Sequence, residues 1–179
     1  MVRIRLMLVI FLMLDLAGCK SGFGVLRAKA LIGEANNLLE QQSRVTNEWS
    51  GEYGKVFTPQ NRAQFPSNRT WLRGQAERLI TLLDQSSRLG TEAAEKYEQA
   101  TGLASNDEER RGMALIASSV RKDVEVSQLL KSQMRLTSDE QINDEKTFNE
   151  KFSSLTELIK QKEKESQDQL NEGKRLLRI

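Results

Sequence analysis

Histidine is absent from the chain, and cysteine occurs once, as Cys19. Without histidine the commonest general base and the commonest metal ligand are missing. Ser-His-Asp triads, histidine-bound haem, zinc metalloprotease motifs and the Glu-x-x-His pairs of di-iron bundles are excluded with it. A single cysteine excludes an internal disulfide. Proline is scarce too: Pro59 and Pro66 are the only two, so little interrupts a helix elsewhere. Charge of one sign is also lacking, with 27 Lys and Arg against 25 Asp and Glu. Residues 1–18 hold Arg3, Arg5 and Asp15, which leaves 25 basic and 24 acidic residues after them, a net +1. With no basic run and no aromatic RNA motif, nothing pulls this chain toward nucleic acid. There is no Walker loop, and Gly22-Phe23-Gly24 is too little for a dinucleotide fingerprint. The expectation is no catalytic residue, no metal site and no cofactor.

What is present begins at the N-terminus. Met-Val-Arg-Ile-Arg is a short basic start, and residues 6–14 are all apolar. These are the first two regions of a secretory signal. As a spanning helix the run is too short, since about 20 residues are needed. Leu16-Ala17-Gly18-Cys19 follows: an aliphatic residue, two small residues, then the unique cysteine. This resembles the lipobox of bacterial lipoproteins, and the resemblance covers only about the first 20 residues. It implies that the Cys19 thiol receives a diacylglyceryl group. It further implies that a dedicated peptidase cuts between Gly18 and Cys19, and that membrane lipid is a partner through the acylated cysteine. Lys20 stands where many lipoproteins retained in the inner membrane carry Asp, which implies an outer-membrane anchor facing the periplasm. One acyl chain binds marginally, so two or three make a durable anchor. The alternative is a plain secretory signal or a buried first helix with Cys19 as an ordinary small residue, but Leu16 fits an Ala-x-Ala site poorly.

The chain divides into a signal peptide over 1–18, the lipidated cysteine and a tether over 19–24, and one domain over 25–179. A chain of 179 residues suits a single domain. Apolar residues recur at steps of three and four in four segments, which predicts amphipathic helices. The first runs over 25–56, with Leu31, Ile32, Ala35, Leu39 and Trp49 in its stripe. The second runs over 67–104, with Leu79, Leu83, Ala93 and Tyr97. The third runs over 106–136, with Met113, Ile116, Val120, Val124, Ser127 and Met134. The fourth starts at Ser138 and carries Phe148, Phe152, Ile159 and Leu170. Capping boxes are expected at Ser105-Asn106-Asp107-Glu108 and Ser138-Asp139-Glu140-Gln141. Short links make neighbouring helices antiparallel. The expected fold is therefore all-α, an elongated antiparallel four-helix bundle, with a longer coiled-coil dimer as the alternative. The second-to-third link and the C-terminus should then lie at the membrane end. The first link and the Thr137-Ser138 turn should lie at the far tip.

Two stretches ask for a function. Residues 160–169 contain no apolar side chain; they read as a solvated part of the fourth helix projecting past its neighbours, or else as a charged docking face. The link over 51–70 gathers Tyr53, Phe57 and Phe65 around both prolines, with Trp71 just beyond, in a chain that is only 6% aromatic. Long structured links are often functional, so these four are candidate partner contacts; the alternative is that they cap the end of the bundle. The acidic clusters opening the third and fourth segments read as helix-dipole pairing. The leading functional expectation is a non-catalytic, lipid-anchored envelope protein that contacts an envelope partner as an interaction, assembly or spacer module. A ligand-binding or sensory bundle, with a cavity lined by Trp49, Tyr53 and Trp71, is the alternative. A carboxylate-based cell-wall enzyme comes third, because two acids across a cleft are rare in a narrow bundle.

Overall fold

The computed structural model describes residues 22–179. The signal peptide, Gly18, Cys19 and Lys20 lie outside the described residues. All regular structure among the described residues is helical. The helices are α1 (Gly22–Val56), α2 (Pro59–Ala63), α3 (Arg69–Thr101), α4 (Asp107–Arg135) and α5 (Glu145–Leu177), with one 3-10 turn over Leu136–Ser138. Gly22 to Gly24, expected as tether, belong to the first turn of α1. No helix among the described residues is long and apolar enough to cross a membrane.

The four long helices form the antiparallel bundle that the stripes predict. α1 packs on α3, α3 on α4 and α4 on α5, while no packing of comparable extent closes the ring between α5 and α1. At 35 residues, α1 is roughly 50 Å long. The C-terminus returns beside the start of α4, where Arg178 meets Glu108 at 3.8 Å. This end, which also holds the start of α1, is called the base. The opposite end, with α2 and the 136–144 link, is the tip.

The ends of the helices depart from the sequence reading. Asn106, not Ser105, caps α4: its Oδ1 accepts from the Glu109 amide at 2.9 Å. Glu109 reaches back to accept from the Ser105 amide at 3.0 Å. The cap therefore sits one residue later than expected, and the Glu109 carboxylate closes on the amide before it. The fourth helix begins at Glu145 rather than Ser138. Asp139 instead accepts from the Gln141 amide at 3.0 Å in a local turn. Asp144 is the true cap, accepting from the Thr147 amide at 2.8 Å. Ile142, buried in the link, drops into the core before the helix starts.

Burial separates into two apolar clusters. The base cluster contains Ile32, Ala35, Ala93, Tyr97, Met113, Ile116 and Val120. Five alanines stand among its larger side chains, and α4 and α5 come into direct backbone contact there. A Cβ on Gly173 would stand 2.9 Å from the Gly112 carbonyl oxygen, which no side-chain movement relieves. The tip cluster contains Trp49, Phe57, Phe65, Leu72, Met134, Phe148 and Phe152. Between the two lies a polar waist of buried Gln42, Ser86, Ser87, Ser119, Ser127 and Ser166.

Candidate functional site

The waist holds a cavity of about 420 Å³. Its walls are α1 and α5, which do not pack along this stretch, and its floor is α3 and α4. The same local cause operates in all four helices. At positions where the stripe calls for an apolar residue, each chain segment carries a polar or small one. In α1, Gln42 and Thr46 stand between Leu39 and Trp49. In α3, Ser86 and Gly90 stand between Leu83 and Ala93. In α4, Asp123 follows Val120 by three and precedes Val126 by three. In α5, Glu163 and Ser166 stand between Ile159 and Leu170. These substitutions fall at one level, so the helices cannot close an apolar seam there.

Residues 160–169 therefore do not project past their neighbours. They form the middle of α5, tied to α4 by Lys162 with Glu125 at 2.9 Å and by Lys122 with Glu165 at 2.7 Å. Their lack of apolar residues marks the cleft wall. On the opposite side Gly90 makes room for Gln42: a Cβ there would lie 2.7 Å from Gln42 Nε2 and 3.0 Å from Val124 Cγ2. Val124, expected beside Val120 in the core, is only half-buried.

Polar groups in the waist are mostly satisfied. Thr46 donates to the Gln42 carbonyl at 2.9 Å and lies 3.2 Å from the Ser86 hydroxyl. The Ser119 and Ser166 hydroxyls pair at 2.9 Å across α4 and α5. Two groups in the cleft lining are not. Asp123 Oδ2 and Trp49 Nε1 are both sealed from solvent and have no hydrogen-bond partner among the described residues. Burial pushes the Asp123 carboxyl up to about 7, with the nearby Glu163 charge adding to the rise and the Ser166 hydroxyl opposing it. Glu163 is itself raised by burial, against the pull of Lys160. Both residues line the cavity, but these two atoms are turned away from its open space. Asp123 had no place in the sequence reading. Its position three residues from both Val120 and Val126 is the signal that could have found it.

At the tip the structure brings three of the four aromatic candidates together. Tyr53 stacks on Trp49 at 4.7 Å and on Phe57 at 5.3 Å between ring centroids. Phe57 stacks on Phe152 at 5.8 Å, and Phe65 on Phe148 at 4.3 Å. Phe57 and Phe65 are buried, so they cap the bundle end. Burial pushes the Tyr53 hydroxyl up to about 12. It donates to Gln133 Oε1 at 3.0 Å, and Gln133 Nε2 donates to the Phe152 carbonyl at 3.0 Å and to Thr156 Oγ1 at 2.8 Å. This clasp joins α1, α4 and α5 and bounds the cleft on the tip side. Trp71 stands apart, 46% exposed. The expected cavity lined by Trp49, Tyr53 and Trp71 is thus replaced by one in which only Trp49 of the three takes part. No known protein family, curated protein or solved structure matches the chain.

Proposed function

We infer that this chain is a non-catalytic binding module of the cell envelope, anchored by lipid at Cys19, whose ligand occupies the cleft between α1 and α5. The observation that carries the reading is the cavity of about 420 Å³, lined by apolar side chains from all four long helices and by the carboxyl-bearing residues Asp123 and Glu163. A cavity of this size falls within the range of small-molecule sites. The cleft experiment uses 4-phenylbutanol, a neutral amphiphile of suitable length, with the intact chain purified from membranes. Equilibrium dialysis should give saturable binding of one molecule per chain. Ser43→Phe, which turns a large apolar side chain into the cleft, should weaken it at least tenfold while circular dichroism stays unchanged. Absence of saturable binding, or binding indifferent to Ser43→Phe, overturns the reading.

The anchor rests on the Leu16-Ala17-Gly18-Cys19 pattern and on Cys19 being the only thiol. Mass spectrometry of the native protein should find the first residue to be a diacylglyceryl-modified Cys19, and Cys19→Ser should abolish the modification. An unmodified N-terminus at any other residue would refute the anchor. Lys20 after the cysteine supports an anchor at the outer membrane, facing the periplasm. A second reading, contact with an envelope protein at the tip, is favoured by one observation: Trp71 is a large aromatic side chain left facing solvent there.

A further inference from the structure

The charges around the cleft divide by depth. Inside are two carboxyls, Asp123 from α4 and Glu163 from α5. At the exposed rim are Lys160, Lys164 and Asp168, all from α5. Lys160 is engaged along its own helix by Glu157 at 2.7 Å. The groups that α1 and α3 turn toward Asp123 are neutral: Gln42, Ser43, Thr46 and Ser86. No cation from α1, α3 or α4 lines the cleft, and the Lys160 charge on α5 acts on Glu163 rather than on Asp123; a buried carboxylate without a counter-charge is costly. The walls next to it are apolar, formed by Leu39, Leu83, Val126, Leu130 and the Trp49 ring.

We propose that the cleft binds a small amphipathic organic cation, its ammonium group on Asp123 and Glu163 and its apolar body along Trp49, Val126 and Leu130. The inference rests on the cleft being a ligand site and adds the charge of the ligand. An ammonium between Asp123 and Glu163 offsets the charge of the two carboxyls that line the cavity. Binding selects the ionised carboxylate. Because burial raises the Asp123 carboxyl to about 7, association near pH 6.5 releases the carboxyl proton to the buffer.

Three probes of one length separate the claims: 4-phenylbutylamine, 4-phenylbutanol and 4-phenylbutyrate, titrated into the intact chain by calorimetry at pH 8. The amine should bind at least tenfold more tightly than the alcohol, and the butyrate at least tenfold more weakly. Asp123→Asn should bring the amine and alcohol affinities to within twofold of each other, and Glu163→Gln should reduce the preference for the amine by less. At pH 6.5 the heat of amine binding should depend on the ionisation enthalpy of the buffer, in the sense of proton release, and this dependence should vanish in Asp123→Asn. An amine no tighter than the alcohol, with alcohol binding intact, overturns the proposal and leaves the cleft as a neutral ligand site. The tightest binding by the butyrate overturns it in favour of an anion held by the rim lysines. Failure of all three probes to bind overturns the ligand-site reading itself.

Discussion

Asp123→Asn will make the protein more stable at pH 8 and will leave it nearly unchanged at pH 4. In the folded chain the carboxyl is pushed up to about 7 from 3.8 by burial. Between those two values the folded state holds a proton that the unfolded state has released. Stability therefore falls as pH rises from about 4 to about 7 and is level above that. The full span of the shift corresponds to a cost on the order of 4 kcal/mol at pH 8. Asparagine keeps the shape and carries no ionisable group, so the variant escapes this loss. The exposed carboxylates lowered by local hydrogen bonds, such as Asp139 and Asp144, slope the other way but are common to both chains and cancel in the difference. Urea unfolding of both chains at pH 4 and pH 8 is the measurement. A stability difference that is the same at both pH values would show that Asp123 is not desolvated. The Asp123 carboxyl is thus a standing cost to the fold at neutral and alkaline pH.

Val120→Asp will lower the melting temperature by roughly 10 °C or more, or prevent folding. Val120 is 1% exposed in the base cluster, among Ile116, Ala117 and Ala93. An acid there has no cation within the cluster, and the cost is several kcal/mol against a total stability of about 5–15 kcal/mol. For a chain of this size each kcal/mol lost moves the midpoint by about 2–4 °C. Val124→Asp is the contrast. Val124 is half-buried against Gly90 at the edge of the waist, so its substitution should cost markedly less. Thermal unfolding followed by circular dichroism compares them. Equal losses for the two variants would contradict the burial difference.

The comparison of the two valines marks how far the sequence could be read. Four helices, their antiparallel order and most of the base core follow from the three-four spacing, because an apolar stripe has few ways to be buried. The α4 stripe shows the limit. Spacing alone cannot say whether Val124 or Asp123 faces inward, and an acid at position 123 argues for the surface. The structure turns both partly inward because Gly90 and Ser127 leave room. Residues 160–169 misled for the same reason: an absence of apolar side chains is the signature both of a solvated face and of a polar cleft wall. Only the alignment of four helices at one level separates the two, and no single segment contains that information. The Ser138 cap failed more simply. The pattern for a capping box was satisfied, but burying Ile142 required the chain to turn before α5 began. The aromatic residues of the first link fulfil the capping alternative: Phe57 and Phe65 close the tip, and Trp71 alone remains on the surface.

The polar waist has a consequence for how the protein opens. Each apolar cluster draws a part from all four long helices, and the layer between them contributes little hydrophobic stabilisation. The cooperative units are therefore slabs cut across the bundle, not individual helices. Amide exchange under native conditions should accordingly change along each helix as it crosses the waist, near Gln42, Ser86, Asp123 and Glu163. The tip slab, held by stacked rings and the Gln133 clasp, would keep its protection while the base slab, an aliphatic core without stacked rings beside the proposed anchor, exchanges through a separate opening.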